Sequence, residues 1–136
     1  MARQDVAELE SVDEGEVIVR LVAARDFDVS APPGQRVKPA ALQTSDFTPS
    51  DKSYGASVYV VSRLGGVDVR ERLNKSTHVE ARVRVAELVE LGIRVVYSPE
   101  DCDVDELKPA HASLIGVTRD NRVKVLRLID KALPLP

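Results

Sequence analysis

The segment KPAALQTSDFTPSDKSYGASVYVVSRL, residues 38–64, contains the sharpest change of character in the chain, because a polar, turn-rich stretch runs directly into an apolar one. Its first part, 44–54, is dense in Ser, Thr, Asp, Pro and Lys, which predicts a loop. Its second part, 56–63, reads ASVYVVSR and predicts a strand. Binding and catalytic residues concentrate in loops held by a rigid scaffold, so we expect a functional site in or beside this segment.

Three further segments predict strands, and one short segment predicts a helix. Residues 16–22 (EVIVRLV) and 93–97 (IRVVY) are rich in β-branched side chains, and residues 111–117 (HASLIGV) form another compact apolar run. Residues 67–73 suit a short helix. The sequence leaves the pairing order of the strands open.

Two longer helices complete the predicted elements. A helix is predicted over 78–91, since Thr77 and Glu80 match a capping box and Gly92 follows as a typical helix-ending residue. Thr118 is expected to cap the last helix. The order of elements therefore predicts an α+β fold, with a small mixed sheet of about four or five strands and two or three helices packed on it.

Length and composition bound the class of protein. A chain of 136 residues with 43% apolar and 30% charged residues is typical of one soluble globular domain. Residues 1–14 are acidic and poor in bulky apolar side chains, which predicts a flexible segment, and residues 15–136 are expected to form a single α+β domain. The N-terminus does not read as a signal peptide, and no apolar run reaches the length of a membrane span. With one cysteine, Cys102, the expectation is a cytoplasmic protein without membrane contact.

Charge is unevenly distributed along the chain. The net charge is −3, with acidic residues concentrated in 1–16 and 100–106 and a basic surplus elsewhere. This segregation predicts a protein partner, or a small anionic molecule bound by the basic part. The net acidic charge and the shortage of aromatic residues disfavour nucleic acid. No cofactor is predicted, and the calcium-loop pattern that begins at Asp101 fails because Glu106 stands where the sharp turn requires Gly.

Five polar residues at the predicted strands or their flanks form the candidate site. They are Arg20, Lys38, Asp46, Ser57 and His111. Arg20 interrupts the apolar run of the first strand, where a buried, paired Arg would act as an anion clamp and an exposed one would only face water. His111 opens a strand directly after the acidic segment, either as a general base or as a structural side chain bonded to that segment.

Four short sequence features stand out along the chain. They are an Arg in the first strand (Arg20), a P-x-A-x-x-x-x-x-F segment (39–47), a G-x-S-V-Y strand (55–59) and a P-A-H-A-x-x-I-G strand (109–116). In these motifs the chain resembles a group of small uncharacterised bacterial proteins. The resemblance implies one domain and an accessory component of a bacterial multi-component system. It draws attention to Phe47, Ser57 and His111 without assigning them an activity.

The order of Arg20, Ser57 and a later acidic cluster is also similar to the arginine–serine–glutamate layout of ADP-ribosyltransferase-like folds. The resemblance implies that the Arg and the Ser would hold NAD and that a Glu would orient the ribose. The chain departs from that layout, because it is short for the fold, lacks a clear S-T-S strand and carries its acidic residues in a predicted loop.

Two functions are consistent with these observations. We expect a non-catalytic binding or accessory protein that acts through protein–protein contacts, because no catalytic constellation stands out. The alternative is a small enzyme, or a nucleotide- or anion-binding protein, with a pocket around Arg20, Ser57 and His111. That alternative requires these side chains to converge on one concave pocket, whereas the accessory role requires an exposed apolar or charged patch.

Overall fold

A five-stranded antiparallel sheet forms the centre of the protein. The computed structural model describes residues 5–42 and 55–133. The strands are β1 (Val17–Val22), β2 (Ala56–Val60), β3 (Val79–Arg84), β4 (Arg94–Tyr97) and β5 (His111–Ile115). They lie in the order β3-β1-β2-β5-β4, and each neighbouring pair is antiparallel. Together with its helices, this sheet confirms the predicted α+β class.

Short helices connect the strands. The α-helices of the described residues are α1 (Val69–Arg72), α2 (Val85–Glu90) and α3 (Arg122–Ala132). The 3₁₀ helices of the same described residues are Val6–Glu8, Ala24–Asp26, Pro39–Ala41, Val61–Arg63, Pro99–Asp101 and Asp105–Ala110. In this part of the chain, no helix has both the length and the apolar character needed to cross a membrane.

Helices α2 and α3 cover one face of the sheet. Ile18, Val58 and Leu114 from three strands are almost fully buried there. They share one apolar core with Leu88 of α2 and Ile129 of α3. Full burial of a Leu or Ile side chain contributes roughly 1.5–3 kcal/mol, so this layer is a main source of stability.

The opposite face of the sheet carries a second, smaller apolar cluster. Its buried members are Tyr59, Val69, Cys102 and Leu107. Tyr59 belongs to β2, whereas the other three belong to α1 and to the connection between β4 and β5. Helix α1 and this connection therefore cover this face of the sheet. Ser57 shares the face of Tyr59 because side chains alternate along a strand. His111 is directly opposite Tyr59 in the β2–β5 pairing, so two candidate site residues lie on this side.

The helix predicted over 78–91 is wrong in its first half, where the structure has strand β3. Residues 79–85 read VEARVRV, so apolar and charged residues alternate strictly. This period of two suits a strand with one buried face, and it outweighs the apparent helical spacing. The helical part is confined to 85–90, as α2. The predicted capping box therefore caps no helix, and β3 is a fifth strand beside the four located in the sequence, within the predicted number of about four or five.

The last helix begins later than predicted. Thr118 does not cap it, since α3 starts at Arg122 and Asn121 is the residue before it. Thr118 and Asn121 instead bond each other. The backbone N–H of Thr118 donates to Asn121 Oδ1 at 2.7 Å, and the N–H of Asn121 donates to Thr118 Oγ1 at 3.3 Å. The shorter helix predicted over 67–73 is present as α1, which begins after the capping side chain of Asp68.

Part of the acidic N-terminal segment packs along the edge of the sheet. The N–H of Val12 donates to the carbonyl of Val95 in β4 at 2.8 Å. Leu9 is buried in a small cluster on the same edge. Residues 9–12, which the composition predicts to be flexible, therefore contact β4 through both backbone and side chains.

The connection 26–38 is closed at its base and fixed to α3. At the base, the N–H of Lys38 donates to the carbonyl of Asp26 at 2.8 Å. Further along, the buried Arg36 side chain pairs with the buried Asp130 carboxylate of α3 at 3.0 Å. These contacts position the start of the connection, which belongs to the candidate site.

Candidate functional site

Arg20 lies where β1 and β2 diverge. The two strands pair at two positions, the second of which is Val19–Tyr59. Beyond it, Arg20 Nη1 donates to the carbonyl of Ser57 at 2.9 Å, and Nη2 donates to the carbonyl of Ala41 at 3.1 Å. The half-buried guanidinium is thus held in place by backbone groups instead of extending into water.

A cleft of about 290 Å³ opens beside Arg20. In the described part of the chain, its charged and imidazole lining comprises three basic side chains, one carboxylate and one imidazole, namely Arg20, Arg25, Lys75, Asp26 and His78. Ser57 and Tyr59 add hydroxyl groups to the lining. Among the described residues the basic groups outnumber the carboxylate, so this part of the lining carries a net positive charge and attracts anions.

The antiparallel pairing of β1 with β3 explains why the charged residues meet. Val22 at the end of β1 is paired with Val79 at the start of β3, so the chain leaving β1 lies beside the chain entering β3. Arg25 lies in the 3₁₀ helix that follows β1. Lys75 and His78 belong to the turn before β3, in which the N–H of His78 donates to the carbonyl of Lys75 at 3.0 Å. The cationic cleft is therefore built at one end of the β1–β3 pair.

His78 reflects the electrostatic character of the cleft. Burial lowers the pKa of His78, and the charges of Lys75 and Arg25 lower it further against an opposing effect of Asp26. The imidazole is therefore neutral at pH 7. Its Nδ1 atom is buried and has no hydrogen-bond partner among the described residues. His78 therefore brings to the cleft wall a buried ring nitrogen whose bonding capacity the described residues leave unused.

Ser57 is backed by a buried histidine. Ser57 is half-buried in the cleft wall, whereas His111 is 2% exposed. Ser57 Oγ lies 3.1 Å from His111 Nε2, and His111 Nδ1 lies 2.7 Å from the carbonyl oxygen of Ser98. A carbonyl oxygen can only accept, so Nδ1 carries the proton. In the neutral ring, Nε2 is then an acceptor for the hydroxyl of Ser57.

A buried polar network holds the His111 ring. Burial lowers the pKa of His111, although the hydrogen bond to Ser98 and the charge of Asp101 act in the opposite direction, so the ring is neutral at pH 7. Ser98 Oγ lies 2.9 Å from His111 Nδ1 and 2.7 Å from the hydroxyl of Ser113. Ser98 and Ser113 are both buried. Buried hydroxyls need partners, so this network restricts the ring to one position and one tautomer.

Tyr59 packs against the edge of the same ring. The ring centroids of Tyr59 and His111 are 5.4 Å apart at an interplanar angle of 80°. Burial, assisted by the neighbouring Cys102, raises the pKa of Tyr59 to about 12 despite the opposing charge of Arg20. The phenol therefore keeps its proton at neutral pH and adds an uncharged donor to the cleft.

Three of the five candidate residues come together. Arg20 and Ser57 line the cleft, and His111 contacts Ser57 from the buried side. Lys38 is exposed and does not belong to the lining. Asp46 lies outside the described residues. The carboxylate that the described residues place in the cleft is Asp26, which has no counterpart in the arginine–serine–glutamate layout.

Four charged or imidazole side chains of the cleft lining were not among the candidates predicted from the sequence, namely Arg25, Asp26, Lys75 and His78. The alternating pattern of 79–85 is the signal that could have identified them. It predicts a strand at 79–85, and pairing with a neighbouring strand can bring the start of that strand close to 23–26.

Within the described residues, no group of three His, Cys, Asp or Glu side chains is arranged to hold a metal ion.

No family model, no curated protein and no solved structure matches the chain.

Proposed function

We propose that the protein binds a small anionic molecule in the cleft beside β1. The observation that carries this proposal is the convergence of Arg20, Arg25 and Lys75 on one concave site of about 290 Å³. This volume is at the small end of ligand cavities, so it suits a metabolite better than a polymer. The proposal is the anion-binding alternative that the sequence analysis placed beside the accessory role.

A phosphate or a carboxylate is the chemical group that suits this lining. The guanidinium of Arg25 offers a planar fork of donors, and the ammonium of Lys75 offers a compact charge. His78 also lines the cleft, and its Nδ1 atom has no hydrogen-bond partner among the described residues. A bound anion favours the protonated imidazole, so binding would raise the pKa of His78.

Isothermal titration calorimetry with pyrophosphate, and separately with citrate, tests the proposal and distinguishes phosphate from carboxylate. We expect saturable binding to the full chain that weakens as salt screens the charges. The double variant Arg25→Ala/Lys75→Ala should bind at least about tenfold more weakly, because one charge-assisted hydrogen bond contributes about 1.5 kcal/mol or more.

Helix α3 supplies the matched control. Lys124→Ala/Arg127→Ala removes the same two charges from exposed positions that do not line the cleft. This control should leave the affinity unchanged. An equal loss in both double variants would show that only overall charge matters. Full affinity in the Arg25→Ala/Lys75→Ala protein would place the anion elsewhere. Either outcome removes the proposal.

The accessory role through protein–protein contacts stays a prediction. Among the described residues, the exposed large apolar side chains are Val29, Val89 and Val123, which belong to a loop, α2 and α3. Single apolar residues of this kind are ordinary on protein surfaces. The cleft, in contrast, brings several charged side chains together at one place.

A further inference from the structure

The hydroxyl of Ser57 has the surroundings of an activated nucleophile. Ser57 lines the cleft, and its Oγ lies 3.1 Å from Nε2 of the buried His111, within the reach for proton transfer. The other ring nitrogen is fixed by the carbonyl of Ser98 at 2.7 Å. A nucleophile, a base and a group that orients the base are therefore all in place.

We propose that Ser57 is the nucleophile and His111 the general base of an acyl transfer to water, with a carboxylic ester that carries a negatively charged group as substrate. This inference rests on the proposed function, because the basic lining of the cleft would hold the charged group of the ester. It goes beyond that function by assigning a reaction and a substrate class to the same site.

In the first half of the reaction, Ser57 Oγ attacks the ester carbonyl carbon while its proton moves to His111 Nε2. The carbonyl bond opens to an oxyanion. When the carbonyl re-forms, the bond to the alcohol oxygen breaks, and that oxygen takes the proton from Nε2. In the second half, water attacks the acyl carbon and gives a proton to Nε2. The Ser57 oxygen then leaves the acyl carbon and takes this proton back, which yields a carboxylic acid and the starting hydroxyl.

Arg20 lies where it favours the charged intermediate. Its guanidinium donates to the Ser57 carbonyl at 2.9 Å, so its charge lies beside the attacking residue in a half-buried position. A fixed positive charge there stabilises the oxyanion more than the neutral ester. Burial also keeps His111 unprotonated at neutral pH, so that Nε2 can accept a proton.

Covalent labelling with a fluorophosphonate probe tests the inference. We expect the probe to modify Ser57 in the full chain, as located by peptide mass spectrometry, and to leave the exposed Ser62 unmodified. Ser57→Ala should abolish the label. His111→Asn should slow labelling by at least about 100-fold, the lower range of general-base contributions. Ser62→Ala should label at the wild-type rate.

A second variant tests the pairing of Ser57 with His111 if His111→Asn does not fold. Ser57→Cys should react with iodoacetamide at pH 7 at least about tenfold faster than Ser62→Cys, because a neighbouring imidazole promotes thiolate formation. The wild-type protein, whose Cys102 is buried, provides the background rate.

The outcomes separate this inference from the proposed function. Pyrophosphate or citrate binding without a Ser57 label, or with a label whose rate does not depend on His111, overturns the nucleophile–base pair and leaves anion binding intact. A His111-dependent label on a protein that binds neither anion supports the pair and overturns the anionic substrate. Equal alkylation of the two cysteine variants also overturns the pair.

Discussion

Replacing Asp130 by Asn is expected to destabilise the fold by about 4 kcal/mol, because this carboxylate fixes the connection 26–38 to α3. Asp130 is 1% exposed. Its two oxygens accept hydrogen bonds from the backbone N–H groups of Gly34, Arg36 and Val37 at 2.7–3.0 Å and from Arg36 Nε at 3.0 Å. A single side chain thus satisfies four donors of the connection.

The magnitude follows from what Asn can and cannot replace. Asn preserves the shape but removes the charge and exchanges one acceptor oxygen for a donor. Arg36 is 4% exposed, and breaking a buried ion pair from one side costs about 3–5 kcal/mol. Each buried N–H group left without an acceptor adds about 1–3 kcal/mol. The exposed region around Gly34 can open to water and recover part of this cost, which leaves a total of about 4 kcal/mol.

Urea unfolding at pH 7, followed by circular dichroism, measures this loss. With a denaturant slope of about 1–3 kcal/mol per molar, the midpoint should fall by roughly 2 M. Asp28→Asn is the matched control, since Asp28 is an exposed carboxylate in the same connection that bonds the N–H and the hydroxyl of Ser30. If Asp130→Asn shifts the midpoint no more than Asp28→Asn does, the reasoning is refuted.

The same carboxylate makes stability depend on pH with a defined sign. Burial alone would raise the pKa of Asp130, but the hydrogen bonds from Gly34, Arg36 and Val37 outweigh it and hold the pKa below its ordinary value. The Asp130 carboxylate therefore takes up a proton less readily in the folded state than in the unfolded chain. Its contribution is complete above about pH 4 and is lost as the pH falls through the native pKa. Unfolding curves of Asp130→Asn should accordingly depend less on pH in this acidic range.

Two further predictions test the sheet and the cleft. Gly55→Ala should destabilise the fold by about 1–3 kcal/mol in urea unfolding, because a Cβ there would lie 2.3 Å from the backbone oxygen of Leu114; Gly15→Ala, whose nearest contact would be an ordinary 3.4 Å, should have a much smaller effect. Lys75→Ala should raise the pKa of His78 in an NMR titration, because it removes a neighbouring positive charge, and an unchanged pKa would contradict the cationic character of the cleft.

The sequence predicts compact strands well and predicts their arrangement poorly. The apolar runs at 16–22 and 93–97 match β1 and β4 to within one residue at their starts, because both runs are rich in β-branched side chains, which favour strands. The strand order β3-β1-β2-β5-β4 depends on contacts between residues far apart in the chain. Ser57 and His111 can therefore be identified as candidates one by one, whereas their hydrogen bond requires the pairing of β2 with β5.

The missed part of the site has a single physical origin. Residues 79–85 carry both a helical spacing and a strict alternation, and the sheet resolves the conflict because a strand there buries its apolar side against α3 and pairs with β1. Once β3 is antiparallel to β1, the residues after Val22 must lie next to those before Val79. Arg25 and Lys75 are thereby brought to the same cleft although neither stands out in the sequence. The positive charge of the site is thus a consequence of strand pairing and not of a local motif.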